Sequence, residues 1–296
     1  MSVPAAFLGI IIIWSTTPLT IKWSGEGPGF LFGVTGRMAL GAAVALLALM
    51  VLRVPLPLHG KAWRTYLAAG LGIYGAMISV YAGAQYVASG LVSVLYGTMP
   101  LITGIMASLW LQERTLTGPK IIGILLGMLG LWQIFGHGLQ LGNTAWIGLA
   151  YVLLSVVLQS ISAVWVKRVN PSMPGLTVTC GGLLLALPLY LLTWGMFGEG
   201  WPQAVPERAL LSIVYLGVFG SAIGFALYYY VLSHMEASKV ALAALITPVL
   251  ALMLGHWLNN EAMDAQVWMG TAAILAGLAA HQWGDYLYRR VGRTGD

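Results

Sequence analysis

The chain consists of apolar blocks of about 20 residues that are separated by short polar breaks. A helix of that length spans the hydrocarbon core of a bilayer, where only helices and closed barrels satisfy their backbone hydrogen bonds. The blocks lack the alternation of polar and apolar residues that is typical of barrel strands. The pattern therefore predicts an all-α polytopic membrane protein with ten transmembrane helices, near residues 4–22, 30–52, 66–86, 90–111, 121–136, 145–166, 175–197, 210–233, 240–258 and 266–284.

The composition agrees with this interpretation. Hydrophobic residues make up 59% of the chain and charged residues 8%, and the mean hydropathy is +0.84. A soluble protein carries roughly 25% charged residues, so most of this surface must face an apolar solvent. The single cysteine, Cys180, excludes an internal disulfide framework and a thiolate metal cluster. We expect no cofactor and no metal site, since no nucleotide-binding loop or metal-ligand spacing occurs.

Basic residues predict the orientation of the helices. If both termini are cytoplasmic, only Lys22 and Arg208 lie in outer loops, and Arg37 lies inside the second helix. The other basic residues then fall on the cytoplasmic side: Arg53, Lys61, Arg64, Arg114, Lys120, Lys167, Arg168, Lys239, Arg289, Arg290 and Arg293. This bias is typical of a multi-pass protein of the bacterial inner membrane, and it explains the basic pI without any nucleic-acid partner.

The two halves of the chain repeat one another. Glu113 follows Pro100 by thirteen residues, and Glu261 follows Pro248 by the same distance. Gly123 and Gly130 are seven residues apart, as are Gly270 and Gly277. We divide the chain into repeats at 1–140 and 141–296. Because each repeat contains an odd number of helices, the two must be inverted, an arrangement that places a solute site between the halves in many transporters.

Several motifs resemble a known family. They are Ile13-Trp14-Ser15-Thr16, Arg37 in the second helix, the stretch from Pro100 to Leu111-Gln112-Glu113-Arg114-Thr115-Leu116, and the looser copy from Pro248 to Asn259-Asn260-Glu261. Over nearly its whole length the chain is similar to the EamA-type branch of the drug/metabolite transporter superfamily. The resemblance implies an exporter of amino acids or other metabolites, and the many Trp and Tyr residues look most like the aromatic amino-acid exporters.

The resemblance also implies where a solute binds. It places a central cavity among the third, fourth, eighth and ninth helices, with the first and sixth contributing, and it carries the family's glutamate over onto Glu113 and its copy onto Glu261. Helical periodicity independently marks polar and aromatic stripes on these helices. The candidate substrate-binding residues are Trp14, Tyr74, Tyr81, Gln85, Tyr96, Gln159, Trp165, Tyr228 and Thr247. The alternative for each is helix packing, since small polar residues also occur at membrane helix interfaces.

A second set of residues has predicted gating or structural roles: Arg37, Pro100, Glu113, Pro248 and Glu261. Pro100 and Pro248 each remove a backbone hydrogen bond at matching places, so both predict bends that open and close the cavity. Arg37 is the one full charge inside a predicted span. It would bind a substrate carboxylate or hold helices together, and we favour the structural role because it lies near a helix end.

The sequence favours an exporter that works by alternating access and facilitated diffusion. Arg37 cannot release a proton, so no group in mid-span is suited to proton coupling. The alternatives are a proton-coupled efflux pump for drugs or lipophilic cations and, more remotely, a membrane-embedded enzyme. A pump of the first kind depends on an acidic residue in mid-membrane, and an enzyme needs clustered acidic or histidine residues, neither of which the sequence shows. The expected partners are a small-molecule substrate and the lipid bilayer. The sequence does not set the oligomeric state, and a monomer is compatible with it.

Overall fold

The computed structural model describes residues 2–111, 118–136, 144–169, 172–240, 247–261 and 265–291. These residues form ten successive helices: α1 Val3–Ser24, α2 Phe30–Val51, α3 Gly60–Gly83, α4 Ser89–Leu111, α5 Gly118–Gly136, α6 Ala145–Val169, α7 Gly175–Phe197, α8 Glu207–His234, α9 Thr247–Asn259 and α10 Ala265–Val291. A single helical turn, Ala237–Val240, precedes α9. Each helix overlaps one predicted apolar block.

Two of the helices are irregular. α4 is interrupted after Tyr96 and resumes at Met99. α8 contains a π-helical segment, Leu216–Ile223, between the α-helices Glu207–Tyr215 and Gly224–His234. Interruptions of this kind often mark functional positions in helices.

The exterior of the bundle is apolar. α1, α2 and α7 present large side chains such as Ile12, Leu47 and Leu192, each more than half exposed. In water such surfaces would be an aggregation hazard, but in a bilayer they meet lipid tails. By length and composition seven of the described helices are sufficient to cross a membrane: α1, α2, α3, α4, α6, α7 and α8. The prediction of an all-α polytopic membrane protein is confirmed.

The helix contacts have internal twofold symmetry. α5 packs against α10, α4 against α9, and α2 against α7. α3 packs against α6 and α7, while α8 packs against α1 and α2. Exchanging each helix with the one five places along the chain leaves this set of contacts unchanged. The two repeats are therefore related as the sequence predicts.

Glycines at the contact between α5 and α10 show that the repeats are inverted. A Cβ on Gly130 would lie 2.6 Å from the Gly270 carbonyl oxygen, and a Cβ on Gly277 would lie 2.6 Å from that of Gly123. The two helices therefore touch backbone to backbone in antiparallel register, and only glycine permits this approach. A twofold axis that exchanges two antiparallel helices is perpendicular to them, so it lies in the plane of the membrane.

The bundle has two ends, which we name by one residue each. The Glu261 end carries the segments that follow α1, α3, α7 and α9. The Lys61 end carries the segments that follow α2, α6 and α8. Most of the basic residues belong to the Lys61 end, where Arg53, Lys61, Arg64 and Arg168 are all exposed.

Candidate functional site

A central cavity of about 70 Å³ lies between the two repeats. Both repeats contribute walls, from α1, α2, α3 and α4 on one side and α6, α8 and α9 on the other. The lining residues are Trp14, Thr17, Pro18, Ile21, Arg37, Met77, Val80, Val92, Ser93, Tyr96, Gln159, Gly220, Phe225 and Thr247. This volume is small beside the roughly 300–1,000 Å³ of typical ligand pockets, so the cavity is constricted in this conformation.

Arg37 of α2 places a buried cation at this cavity. Its side chain is 2% exposed, and its Nε donates a hydrogen bond of 2.9 Å to Ser221 Oγ of α8. The guanidinium carbon lies 5.9 Å from the centre of the Tyr81 ring. Its Nη1 has no hydrogen-bond partner among the described residues. The Nη1 group of this permanently charged side chain is thus free to donate hydrogen bonds to a solute in the cavity.

The irregular segment of α8 makes room for this guanidinium. Gly220 and Ser221 both lie in the π-helix. A Cβ on Gly220 would lie 3.1 Å from Arg37 Nη2, so a larger residue there would crowd the charge. The π-helical segment therefore places the Ser221 hydroxyl as an acceptor for Arg37, and its Gly220 leaves space for the guanidinium group.

Gln159 of α6 contributes an acceptor to the same cavity. The residue is 3% exposed, and its Oε1 has no hydrogen-bond partner among the described residues. A buried amide oxygen without a donor costs free energy of about 1–3 kcal/mol. The cavity therefore presents a free donor group on Arg37 and a free acceptor on Gln159.

Aromatic and apolar side chains form the rest of the wall. Trp14 lines the cavity, and its ring packs against that of Tyr228, with centroids 5.4 Å apart. Phe225, one turn before Tyr228 on α8, also lines it. These rings suit a solute with an apolar or aromatic portion.

Tyr96 and Thr247 complete the set of predicted residues that reach the cavity. The Tyr96 hydroxyl lies 2.5 Å from Ser155 Oγ. Ser155 in turn donates to the Ala76 carbonyl oxygen at 2.6 Å, so Tyr96 must be the donor to Ser155. Tyr96 thereby joins α4 to α6 and uses its hydroxyl hydrogen there, so its ring and the lone pairs of its oxygen are left to face a solute.

The other predicted substrate-binding residues lie outside the cavity lining. Tyr81 and Tyr228 are buried directly behind it, the first beneath Arg37 and the second behind Trp14. Tyr74 bonds to Thr193 Oγ1 at 2.6 Å, between α3 and α7. Gln85 is exposed and donates to the Tyr81 carbonyl oxygen at 3.1 Å, and Trp165 lines a separate cleft at the Lys61 end.

The two predicted hinge prolines begin helical segments. Pro100 is the second residue after the interruption of α4, and Pro248 is the second residue of α9. Pro100 has no N–H to donate to the Tyr96 carbonyl, which is where the first part of α4 ends. Gly97, inside the interruption, lies close to Pro248, since a Cβ there would be 3.6 Å from Pro248 Cγ. Glu113, the remaining predicted residue of this kind in the first repeat, lies outside the described residues.

Glu261 closes the opposite end of the bundle through a group of contacts that we call the Glu261 clasp. Its carboxylate accepts hydrogen bonds from the Ser89 and Gly90 amides at 3.0 and 3.2 Å, from Ser89 Oγ at 2.9 Å and from Asn259 Nδ2 at 3.0 Å. Lys22 Nζ of α1 lies 3.6 Å away. The amides belong to the first turn of α4, where a negative charge is also favoured by the helix dipole. Burial raises the pKa of Glu261, but these hydrogen bonds outweigh it and hold the pKa below its ordinary value.

A second layer of contacts extends the clasp to α8. Asn259 Oδ1 accepts hydrogen bonds from Trp23 Nε1 at 3.1 Å and from Arg208 Nη2 at 3.4 Å. Arg208 lies over the Trp23 ring and pairs with Glu26 at 2.9 Å. Four helices, α1, α4, α8 and α9, are thus joined at the Glu261 end.

Sequence reasoning missed several apolar wall residues. Met77, Val80 and Val92 line the cavity, yet nothing in the sequence separates them from apolar residues that face lipid or pack between helices. The polar stripe on α3 instead marks its contact with α7, as the bond from Tyr74 to Thr193 shows. Gly220 had a sequence signal as part of a small-residue pair on α8, but its role beside Arg37 depends on the π-helix.

Comparison with known proteins identifies the class. The model of the EamA-like transporter family matches twice, over residues 2–136 and 146–280. The chain is 28% identical over 285 residues to the uncharacterized transporter YoaV of Bacillus subtilis, covering 94% of this chain and 96% of that protein. It is also 28% identical over 291 residues to the uncharacterized inner membrane transporter YedA of Escherichia coli, covering 96% and 91%. The names of these relatives do not identify a transported solute.

A solved crystal structure has the same fold. It superposes with a TM-score of 0.72 at 21% identity and covers 95% of this chain and 98% of its own. The family model matches most of the chain, once in each repeat, and the cavity lies between the two matched units. The chain therefore belongs to the EamA-like transporter family, and it is a membrane transporter rather than an enzyme.

Proposed function

We propose that this transporter exports amino acids, the aromatic ones included, or related zwitterionic metabolites across the bacterial inner membrane. The observation that carries the proposal is the pair of unsatisfied groups at the cavity, Arg37 Nη1 and Gln159 Oε1. A carboxylate would accept from the guanidinium, and an ammonium group would donate to the amide oxygen. Trp14 and Phe225 provide an apolar wall for the side chain of such a solute.

The electrostatics of the cavity disfavour a lipophilic cation as solute. Arg37 is the one charged side chain among the described lining residues, and it is positive. A second positive charge in a desolvated space would be repelled. A zwitterion places its carboxylate against the arginine and remains neutral overall. The electrostatic free energy of its transfer into the cavity is therefore lower than that of a cation.

Alternating access is the mechanism that this proposal requires. The cavity is too constricted to hold a drug-sized ligand, so the helices around it must move apart before a solute enters. The Glu261 clasp is a set of contacts that must break when the Glu261 end opens. We assign this end to the outer face and both termini to the cytoplasm, with the repeats 1–140 and 141–296 moving against each other.

Transport in this proposal is facilitated diffusion, which needs no coupled ion. An arginine cannot release its proton at physiological pH, so it cannot carry protons across. His256 is exposed at the Glu261 end, with Nδ1 3.1 Å from the Glu261 carbonyl oxygen, and is absent from the described cavity lining. A high cytoplasmic concentration of a metabolite is then the driving force for its export.

Counterflow in proteoliposomes tests the solute class. Vesicles loaded with one unlabelled compound are assayed for uptake of a labelled amino acid with an apolar side chain. We expect the amino acid to drive exchange, and we expect neither its decarboxylated amine nor its deaminated acid to do so. Exchange driven equally well by the amine, or by a lipophilic cation, would contradict the proposed roles of Arg37 and Gln159.

A further inference from the structure

A second space, separate from the central cavity, lies at the Lys61 end. It is a cleft of about 800 Å³ between the start of α3 and the ends of α4 and α6. Its main lining residues are Lys61, Arg64, Trp110, Ile161, Trp165 and Arg168. None of them lines the central cavity.

The cleft opens on the outside of the bundle. On α6, Gln159 faces the central cavity. At about 100° per residue, Ile161, Trp165 and Arg168 lie roughly 180–240° around the helix from it. Trp110 of α4 is 40% exposed, and its neighbour Leu109 is 68% exposed. The cleft therefore faces the lipid and not the solute path.

Three cations converge on this cleft from distant parts of the sequence. Lys61 and Arg64 lie on the first turns of α3, and Arg168 lies at the end of α6. No carboxylate of the described residues lies within ion-pair distance of any of the three. A bias of basic residues toward one face sets membrane orientation, but it does not require three of them around a single cleft.

The other lining residues of the cleft are apolar or aromatic. Ile161 and the Trp110 and Trp165 rings line the same space as the three cations. Tryptophan prefers the boundary between hydrocarbon and headgroups, and long basic side chains reach from there toward phosphate. A ligand that fits both parts has an anionic head and an apolar tail.

We propose that this cleft binds an anionic phospholipid, with its phosphate headgroup at Lys61, Arg64 and Arg168 and an acyl chain along Ile161 and Trp165. Basic pockets between membrane helices are known to take such headgroups. The lipid joins α3, α4 and α6 on the side of α6 that faces away from Gln159. It is a binding site for the bilayer itself and stands apart from the solute path.

Thermal unfolding of the purified protein in mixed micelles tests this site. Phosphatidylglycerol is expected to raise the melting temperature, whereas phosphatidylcholine and inorganic phosphate leave it unchanged. An equal rise with phosphatidylcholine would show that the cleft does not select charge. A rise with inorganic phosphate alone would show an anion site without lipid selectivity, and either result overturns the proposal.

Substitutions of the basic residues test whether phosphatidylglycerol acts through this cleft. Arg64→Gln and Arg168→Gln should each weaken the apparent affinity for phosphatidylglycerol about fivefold, which corresponds to one cation near a lipid surface. Arg53→Gln is the matched control, because Arg53 is exposed at the same end but does not line the cleft. An equal loss in all three variants would contradict the proposal. If the variants do not fold, the wild-type response to salt decides, since added salt should weaken a headgroup contact and an unchanged response would overturn it.

Discussion

At the scale of single residues, the role of Arg37 can be tested most specifically. The sequence leaves two roles open for it, binding a carboxylate or holding helices together. In the structure its Nε bonds to Ser221, while its Nη1 lies at the cavity without a partner in the described part of the chain. A purely structural arginine would use its donors within the protein, so this arrangement supports the binding role.

Replacing Arg37 with methionine separates the two roles. Methionine removes a buried charge whose desolvation is only partly compensated, so we expect the melting temperature to stay the same or to rise. Affinity for a zwitterionic solute should fall roughly tenfold or more, because a charge-assisted hydrogen bond is lost. Binding measured by calorimetry and unfolding measured by light scattering test both parts.

Thr35→Val is the matched control for this variant. Thr35 is a buried residue of the same helix whose hydroxyl has no hydrogen-bond partner in the described part of the chain, and it does not line the cavity. It should leave solute affinity unchanged. A lower melting temperature with unchanged affinity in Arg37→Met would show that the arginine is structural.

Glu261 is the second residue whose environment predicts a measurable effect. Its lowered pKa means that the carboxylate stays charged, and the clasp intact, from neutral pH down through the ordinary glutamate value of about 4.3. The clasp is lost only as the pH falls below that value, through the lowered pKa. The Glu261 carboxylate should therefore give opening at this end no dependence on external pH from about 5 to 8.

Thiol labelling measures this opening. Ser93 lines the cavity, so Ser93→Cys in a Cys180→Ser background reports access from outside. We expect Glu261→Gln to speed labelling by an impermeant reagent several-fold at neutral pH, because glutamine cannot accept all the hydrogen bonds and loses Lys22. Glu199→Gln, which removes a carboxylate at the same end outside the clasp, is the control. Labelling that is unaffected by Glu261→Gln would remove the clasp from the gating mechanism.

At the scale of helices, α4 contains the clearest candidate for a moving part. Its two segments meet at Gly97 and Thr98, beside Pro248 of the other repeat. Tyr96, the last residue of the first segment, lines the cavity. A change of angle at this interruption would therefore change the cavity directly.

Pro100→Ala should restore a backbone donor for the Tyr96 carbonyl and straighten α4. We expect transport to slow by a larger factor than expression falls, as measured by counterflow per folded molecule. Pro188→Ala is the control, since Pro188 lies inside α7 on an exposed face away from the cavity. Wild-type rates in Pro100→Ala would reduce this proline to a tolerated bend.

Helix positions were largely predictable from the sequence, and helix irregularities were not. The predicted block 175–197 coincides with α7, because apolar length defines both ends. α3 begins at Gly60, six residues before its predicted start, because a polar first turn with Lys61 and Arg64 has no apolar signal. The π-helix of α8, which lies beside Arg37, has no signal in the local sequence.

The site was predictable only in part, for a related reason. Trp14, Tyr96, Gln159 and Thr247 were predicted and line the cavity, since polar or aromatic groups on membrane helices mark interior faces. Such groups mark helix contacts equally well, so Tyr74 joins α3 to α7 instead. Only the tertiary arrangement distinguishes these two uses.

At the scale of the whole molecule, the inverted repeat supports the proposed mechanism of alternating access. The contact between Gly130 and Gly270 and that between Gly277 and Gly123 are equivalent under the twofold axis. Each end of the bundle is built from corresponding helices of the two repeats. Under the proposed mechanism, opening one end and closing the other exchanges the arrangements of the two repeats.

Reporter fusions test the orientation of this molecule. We expect fusions at Gln140 and Glu199 to behave as periplasmic, and fusions at either terminus as cytoplasmic, because the exposed cations gather at the Lys61 end. Glu199 lies in the described segment after α7, at the Glu261 end. A cytoplasmic signal from either loop would contradict the assignment of the clasp to the outer face.

In the proposed function, a zwitterionic solute crosses through the Arg37 cavity down its own gradient. The decisive measurement is uptake of a labelled amino acid that passes the counterflow assay, into proteoliposomes with and without an imposed pH gradient. We predict that uptake reaches the equilibrium level in both cases, with unchanged extent in His256→Ala. Accumulation above that level driven by the pH gradient, and abolished by His256→Ala, would show proton coupling and overturn facilitated diffusion.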